Sequence, residues 1–329
     1  MSLPPSDLGE FELIRRFFVR EGAFPRQSGV ILGIGDDAAL LHLPQGTDLV
    51  ATVDTIVAGR HFLEGADPRS IGHRALAVNL SDIAAMGAMP SWATLALTMP
   101  SADADWLEKF AAGFLDLADV HAVALVGGDT TRGPLSVSVQ LLGQVPHGTA
   151  LRRSGARAGD LLAVSGTLGD AAAGLAFLKA PPRSARRSDV EELIRRFDYP
   201  SPRVRLGQSA RDIATAAMDL SDGLAGDLPK LAQASGLSAH VHVERLPLSA
   251  AMRSAVGATQ ALDWALGGGD DYELLFAVPA NRFAELKAAA DQLNLTLTEI
   301  GELRSGAGVT WSLNGNDFSP RVSGYDHFA

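Results

Sequence analysis

Residues 49–55 read LVATVDT. Within them, the apolar and β-branched run LVATV (49–53) is followed directly by Asp54. This composition predicts a strand, because β-branched side chains favour extended backbone. Residues 30–37, VILGIGDD, and residues 123–129, VALVGGD, repeat the arrangement. The sequence therefore predicts three buried strands, each ended by glycines or carboxylates, over residues 30–34, 49–53 and 123–126.

Helices are predicted around these strands. Asp7 and Glu10 have capping-box spacing ahead of an apolar-periodic stretch over residues 13–18. Pro68 predicts the start of a second helix, over residues 67–87. Aromatic residues at helical spacing predict a third helix over residues 106–117. Strands and helices mix without strict alternation, so the predicted fold class is α/β (α+β).

Two domains are predicted from the length and from a change in composition. The chain has 329 residues, more than the roughly 250–300 at which a single core stops growing. Residues 146–159 are rich in Gly, Arg and Pro, which places the boundary between domains of residues 1–148 and 149–329. The basic stretch 181–188 is expected to be an exposed loop. Its arginines are Arg183, Arg186 and Arg187.

The composition argues against several classes of protein. A net charge of −10 argues against nucleic acid as a partner, because binding to its backbone needs a basic surface. No apolar run approaches the roughly 18 residues that span a bilayer, so no membrane partner is expected. The absence of cysteine excludes disulfides and thiolate metal sites, and a cytoplasmic location is the default. No P-loop motif occurs.

The aspartates are the most informative residues. Taken singly, an aspartate after a strand is usually a turn former or a helix cap. Several carboxylates at one edge of a sheet would repel one another unless cations were bound, and oxygen donors without cysteine favour Mg²⁺ over zinc. Asn79 and Asp82, three residues apart on the second helix, are expected to share a face. The aspartates that follow strands or glycines are Asp36, Asp37, Asp54, Asp129, Asp219, Asp222, Asp270 and Asp271.

Six stretches, in order along the chain, resemble the motifs of the thiamine-monophosphate kinase family of the aminoimidazole-ribonucleotide-synthetase superfamily. The resemblance extends from near residue 10 to the C-terminus, and the ordered set is far more specific than any one motif. The stretches are GIGDDAALL (33–41), DTIVAGRHF (54–62), AVNLSDIAAMGA (77–88), GGDTTRG (127–133), DLSDG (219–223) and GYDHF (324–328).

The resemblance implies an N-terminal α/β domain that forms a homodimer and a C-terminal α+β domain that closes over the ATP site. It implies that Asp54, Asp129 and Asp222 are catalytic. The implied Mg²⁺ ligands are Asp37, Thr52, Asp54, Asp82, Asp129, Asp219 and Asp222. The implied ATP contacts are Gly128, Asp129, Arg153 and Ser221, and the implied contacts to thiamine monophosphate are His61, Glu273 and Tyr325. Val53 stands where family members often carry a hydroxyl residue, so any contact with an ion there would use its carbonyl.

The residues alone leave some of these roles open. A histidine such as His61 is more often a hydrogen-bonding residue than a ligand. Glu273 is either a solvated charge beside Asp271 or a partner for a cationic ligand. Tyr325 is either a core anchor or a ring that stacks on the substrate.

The implied reaction transfers the γ-phosphoryl group of ATP onto a phosphate monoester. The second pKa of such a phosphate is about 6, so its oxygen is anionic at pH 7 and no general base is required. Bridging Mg²⁺ ions would position the two anions. Two alternatives remain: a sister enzyme that acts on another phosphorylated acceptor, and a nucleotide-binding protein without turnover.

Overall fold

A computed structural model of the protein describes residues 10–19, 29–182 and 184–325. Asp7 and Arg183 lie outside this part of the chain. The chain divides into two compact units, which we call unit 1 (residues 1–83 and 89–148) and unit 2 (residues 84–88 and 149–329). No helix in the described part of the chain is both long and apolar enough to cross a bilayer.

Unit 1 is built on a four-stranded sheet. Its helices are α1 (Glu10–Phe17), α2 (Pro68–Ala85) and α3 (Ala104–Val120), and the last two residues of α2 belong to unit 2. Its strands are β1 (Val30–Leu32), β2 (Leu40–Leu41), β3 (Thr47–Val57), β4 (Met89–Met99), β5 (Ala124–Arg132) and β6 (Ser136–Pro146). The sheet order is β3-β6-β4-β5, with β4 and β5 parallel and the other pairs antiparallel, and β1 pairs with β2 alone.

The three predicted strands exist, but their predicted ends or environments are wrong. Strand β3 continues past Asp54 to Val57, because all eleven of its residues pair with β6. Strand β5 likewise continues past Gly127 to Arg132, alongside β4. Two of the three catalytic candidates, Asp54 and Asp129, therefore lie inside strands. The first strand is short and mostly exposed rather than buried, ending at Leu32.

The predicted helices of unit 1 are confirmed. Helix α3 is capped by Asp103, whose carboxylate accepts hydrogen bonds from the backbone N–H groups of residues 105 and 106. Trp106, Phe110 and Phe114 stack in sequence along its buried side. Helices α2 and α3 approach so closely that a Cβ atom at Gly113 would collide with the backbone of Arg69. Helix α2, which carries Asp82, is thereby fixed in position.

Unit 2 is built on a seven-stranded mixed sheet. Its helices are α4 (Asp170–Lys179), α5 (Arg187–Asp198), α6 (Val204–Ala210), α7 (Leu224–Ala234), α8 (Ala250–Ala255), α9 (Ala258–Gly267) and α10 (Phe283–Gln292). Its strands are β7 (Leu161–Ser165), β8 (Ala216–Leu220), β9 (Leu237–His242), β10 (Glu273–Val278), β11 (Leu297–Ser305), β12 (Gly308–Leu313) and β13 (Asn316–Phe318). The sheet order is β13-β12-β9-β11-β7-β10-β8.

The interior of unit 2 forms around the central strands of this sheet. Leu162, Met218 and Leu275 from three adjacent strands pack with Leu228 and Leu231 of α7 in one buried cluster. This packing places the ends of β7, β8 and β10 side by side. Ser221 and Asp222 directly follow β8, and Glu273 begins the neighbouring strand β10.

The basic stretch 181–188 is not entirely a loop. Helix α5 begins at Arg187, which pairs with Glu191 one turn later, and Arg186 pairs with Asp189. These ion pairs at the first turn explain why a basic, polar segment starts a helix. The predicted exposure of Arg186 and Arg187 is confirmed, since both side chains are largely exposed.

Candidate active site

Two strand residues and one helix residue meet in unit 1. Thr52 and Asp54 are two positions apart on β3, so their side chains share a face of the sheet. Thr52 Oγ1 donates a hydrogen bond to Asp82 Oδ2 of α2 at 2.5 Å. Burial, the charge of Asp82 and a hydrogen bond with Asp82 together raise the pKa of Asp54 to about 6. The two carboxylates are thus close enough to disfavour simultaneous ionisation.

This arrangement fits a divalent cation. Its donors are a hydroxyl and two carboxylates, the oxygen ligands that Mg²⁺ prefers. Among the described residues, no group of three or more acidic, histidine or cysteine side chains has the geometry of a complete metal site. Mg²⁺ commonly binds to one or two carboxylates together with water and substrate phosphates, so a pair of carboxylates is sufficient.

Gly128 and Asp129 are exposed on β5. A Cβ atom at Gly128 would collide with the backbone of Leu95 on the neighbouring strand, so only glycine allows this close approach. Asp37 is exposed in the loop after β1, where its N–H donates to the carboxylate of Asp36 at 2.8 Å.

His61 is oriented by the end of β3. The backbone N–H group of Val57 donates to the ring nitrogen Nδ1 of His61 at 3.1 Å. The backbone N–H group of His61 donates to the Val57 carbonyl at 3.0 Å. Because Nδ1 accepts a hydrogen bond, the neutral ring carries its proton on Nε2. His61 can therefore present an N–H donor away from its own turn.

In unit 2, two loops that carry predicted residues are in direct contact. The N–H of Asp270 donates to the Ser221 carbonyl at 2.8 Å, and the N–H of Tyr272 donates to the Leu220 carbonyl at 3.0 Å. Asp270 and Tyr272 have φ angles of 71° and 50°, which non-glycine residues rarely adopt. Such strain concentrates at functional sites. The N–H of Tyr325 donates to the Asp222 carbonyl at 3.0 Å, which brings a third predicted segment to the same place.

Asp271, between these two strained residues, is buried and accepts hydrogen bonds from the N–H groups of Gly169 and Ala171 at the start of α4. Burial raises its pKa to about 8, and the nearby charge of Asp170 contributes. Asp271 therefore ties the loop before β10 to the N-terminus of α4. Its role is to hold the backbone in place.

Asp222 pairs with a lysine. Lys230 Nζ lies 2.7 Å from Asp222 Oδ2 and 2.8 Å from Asp227 Oδ1, and Asp227 Oδ2 accepts from the Asp222 N–H at 2.9 Å. Burial works against the charged form, but the two aspartates raise the pKa of Lys230 above its ordinary value. Asp219, inside β8, is buried, and Arg153 is exposed.

Glu273 does not have the solvated position considered for it. Its side chain is fully buried at the start of β10, where Ser165 Oγ donates to Oε2 at 2.6 Å. Arg203 Nε donates to Oε2 at 2.7 Å, and Arg196 Nη2 donates to Oε1 at 2.8 Å. Burial opposes ionisation, but the two arginines hold the pKa of Glu273 below its ordinary value. The cationic partners of Glu273 in this structure are thus arginines of the chain itself.

The sequence pattern missed three basic residues of this region. Lys230 was visible as an i, i+3 partner of Asp227 on α7, which is a recognisable acid–base pair. Arg196 and Arg203 carried no such signal, because they reach Glu273 from more than 65 positions away. Only the fold brings them together.

Both halves of the chain match one family of known proteins. Residues 35–145 match the N-terminal domain of the AIR synthase related proteins, and residues 157–313 match the C-terminal domain. The thiamine-monophosphate kinase of Salmonella typhimurium is 48% identical over 322 residues, covering 98% of this chain and 98% of that protein. The chain belongs to the thiamine-monophosphate kinase family.

Solved structures agree with this membership. A thiamine-monophosphate kinase from Stenotrophomonas maltophilia is 48% identical, with a TM-score of 0.83 over 89% of this chain and 93% of that one. AaThiL complexed with AMPPCP and TMP is 33% identical, with a TM-score of 0.76 over 90% of this chain and 92% of that one. The expected two-domain α/β (α+β) fold of the thiamine-monophosphate kinase family is confirmed.

Proposed function

We propose that this chain transfers the γ-phosphoryl group of ATP to the phosphate of thiamine monophosphate, producing thiamine diphosphate and ADP. The observation that carries the proposal is the contact among Thr52, Asp54 and Asp82, an oxygen-only arrangement, in a chain 48% identical to a thiamine-monophosphate kinase. The complex of AaThiL with AMPPCP and TMP supports the proposal that this chain binds ATP and thiamine monophosphate.

Mg²⁺, when bound, would neutralise the phosphates and hold them in line. The proposed ligands are Asp37, Thr52, Asp54, Asp82, Asp129, Asp219 and Asp222. Asp54, Asp129 and Asp222 are the proposed catalytic residues among them. The hydrogen bond between Thr52 and Asp82 would hold the latter's carboxylate in position, and the close approach of Gly128 to β4 would do the same for the backbone next to Asp129.

The ATP contacts are proposed to come from Gly128, Asp129, Arg153 and Ser221. The Ser221 carbonyl already accepts from Asp270, so its hydroxyl is the group that would meet the nucleotide. Gly128 is exposed on β5, so its backbone would make this contact.

Contacts to thiamine monophosphate are proposed for His61, Glu273 and Tyr325. His61 would donate from Nε2, because Nδ1 is held by Val57. The exposed Tyr325 ring would stack on a cationic or aromatic ring. Glu273 would act through its backbone or through Arg196 and Arg203, since its carboxylate is buried against them.

The proposed chemical step is a direct displacement. A bond forms between an acceptor phosphate oxygen and the γ-phosphorus, and the bond from that phosphorus to the β–γ bridging oxygen breaks, so ADP leaves. The acceptor oxygen is already anionic at pH 7, so no residue has to remove a proton. The protein's contribution is positioning and charge stabilisation.

A homodimer in the cytoplasm is part of the proposal. Strand β3 is at one edge of the four-stranded sheet, and its outward residues Leu49 and Val53 are 51% and 63% exposed. Long, apolar edge strands are usually covered in native proteins. A second copy of the chain, pairing through this face, would cover them. Light scattering on the purified protein and on Val53→Lys tests this, and an unchanged monomer in both would contradict it.

The activity is tested by incubating purified protein with ATP and thiamine monophosphate, with Mg²⁺ or with EDTA, and separating the products. We expect ADP and thiamine diphosphate in equal amounts, and only with Mg²⁺. ADP formed only with a different phosphorylated acceptor would indicate a sister activity. ATP binding without any transfer would indicate a protein that has lost turnover.

A further inference from the structure

One cationic side chain contacts a proposed metal ligand directly. The ammonium group of Lys230 lies between Asp222 and Asp227, at 2.7 Å and 2.8 Å from their carboxylates. A cation is thus already present at the carboxylate that Mg²⁺ is proposed to bind. The two cations cannot occupy the same carboxylate oxygen.

The backbone of Asp222 makes two hydrogen bonds that do not include the ammonium group of Lys230. Its N–H group donates to Asp227 at 2.9 Å, and its carbonyl accepts from the N–H group of Tyr325 at 3.0 Å. Removing the ammonium group therefore leaves the position of Asp222 defined by two other contacts. The charge facing the Asp222 carboxylate is removed, and Asp227 loses its cationic partner as well.

The exposure of the three side chains differs in a way that allows exchange. Lys230 is 42% exposed, Asp222 is 30% exposed and Asp227 is 1% exposed. Lysine is a compact charge on a flexible stem, so it can turn away from Asp222 toward solvent. The buried Asp227 cannot move with it, and its pairing with Lys230 can persist while Asp222 is released.

We propose that Lys230 is a built-in counter-cation that occupies the Asp222 carboxylate in the metal-free protein and that a divalent ion must displace it there. This inference rests on the proposed role of Asp222 as a metal ligand. The lysine prevents two neighbouring carboxylates from repelling each other before the ion arrives. It also raises the ion concentration that is needed to fill this position.

The test is a titration with Mn²⁺, in which the free ion is measured by its electron paramagnetic resonance signal. Wild type, Asp222→Asn and Lys230→Met are compared at pH 7.5 without nucleotide. Asp222→Asn should weaken Mn²⁺ binding at one class of site. Lys230→Met should tighten Mn²⁺ binding at that same class by about twofold to fivefold, the range expected for removing a competing, partly exposed ion pair.

Lys287 provides a matched control. Its ammonium group pairs with Asp291 one turn away on α10 at 3.3 Å, with similar exposure and no contact to a proposed site residue. Lys287→Met should leave the Mn²⁺ isotherm unchanged. Lys230→Arg, which keeps the charge, should behave like wild type. If circular dichroism shows that Lys230→Met is misfolded, Lys230→Gln replaces it, since an amide can still donate to Asp227.

The melting temperature is a second measurement that does not depend on turnover. In EDTA, Lys230→Met should melt below wild type, because Asp227 loses its cationic partner, and Mn²⁺ should raise its melting temperature more than that of wild type. An unchanged or weaker Mn²⁺ affinity in Lys230→Met, with the expected loss in Asp222→Asn, overturns this inference alone. An unchanged isotherm in Asp222→Asn overturns both the metal role of Asp222 and this inference.

Discussion

The carboxylates of the two units are neutralised in different ways. In unit 1, Asp54 faces another carboxylate, that of Asp82, and its pKa rises to about 6. In unit 2, the carboxylate of Glu273 is matched by two arginines and that of Asp222 by a lysine. Unit 1 thus needs a proton or an added cation, whereas these carboxylates of unit 2 are balanced by the chain itself. A carboxylate thus faces a second carboxylate in unit 1, whereas these two carboxylates of unit 2 face basic side chains.

The largest effect should follow from removing the unit 1 carboxylate. Asp54→Asn should lower kcat by on the order of 100-fold or more, because charge stabilisation by metal ions dominates phosphoryl transfer. Circular dichroism should show an intact fold, since Asp54 repels its neighbour in the metal-free protein. Steady-state kinetics with saturating Mg-ATP measures the effect.

Asp48 is the matched control for this variant. It lies on the same strand, but its carboxylate accepts from His147 and Gly148 at an exposed position. Asp48→Asn should retain near-normal turnover. Near-normal turnover in Asp54→Asn as well would mean that the unit 1 pair does not hold the catalytic ion.

The second effect concerns stability in unit 2. Glu273→Gln should lower the free energy of unfolding by about 3–5 kcal/mol, because it leaves two arginines beside a buried, uncharged amide. Urea unfolding of the metal-free protein measures this. A loss below about 1 kcal/mol, the value typical of exposed pairs, would show that Glu273 is not the structural centre of this network.

A smaller effect is a dependence on pH. The folded-state pKa of Asp54, about 6, is above its ordinary value of 3.8. Between these values the folded, metal-free protein keeps a proton that the unfolded chain has released, so this group stabilises the protein as pH falls from about 6 to 4. In EDTA, the melting temperature of wild type minus that of Asp54→Asn should increase as the pH is lowered from about 6 to about 4. Parallel curves for the two proteins would contradict the raised pKa.

The smallest effect is expected at the basic segment before α5. Arg187 is almost fully exposed and pairs only with Glu191 in the described contacts. Arg187→Ala should change neither turnover nor the melting temperature measurably, because exposed pairs contribute little. A clear loss of activity would assign this segment a role in binding substrate.

The sequence predicted the architecture better than the contacts. The helices of unit 1 were predicted from the sequence, because apolar periodicity and helix capping are local signals. The ends of β3 and β5 were misplaced, because the pairing that extends them comes from β6 and β4. An aspartate within a paired strand looks the same in sequence as one in a turn.

The site was predicted as a list of residues rather than as an arrangement. The resemblance grouped Asp54 and Asp82 as metal ligands, but their contact depends on how α2 lies against β3. The burial of Glu273 between Arg196 and Arg203 could not, because it depends on how α5 and α6 pack beside β10. Long-range ion pairs leave no periodic trace in a sequence.

The most direct test of the metal-bridge mechanism is a crystal structure of the protein with Mn²⁺, AMPPCP and thiamine monophosphate, using the anomalous signal of the ion. We expect anomalous peaks within about 2.2 Å of carboxylate oxygens of Asp54 and Asp129, each also touching a phosphate oxygen. Both ligands bound with no ion on these carboxylates would contradict the mechanism.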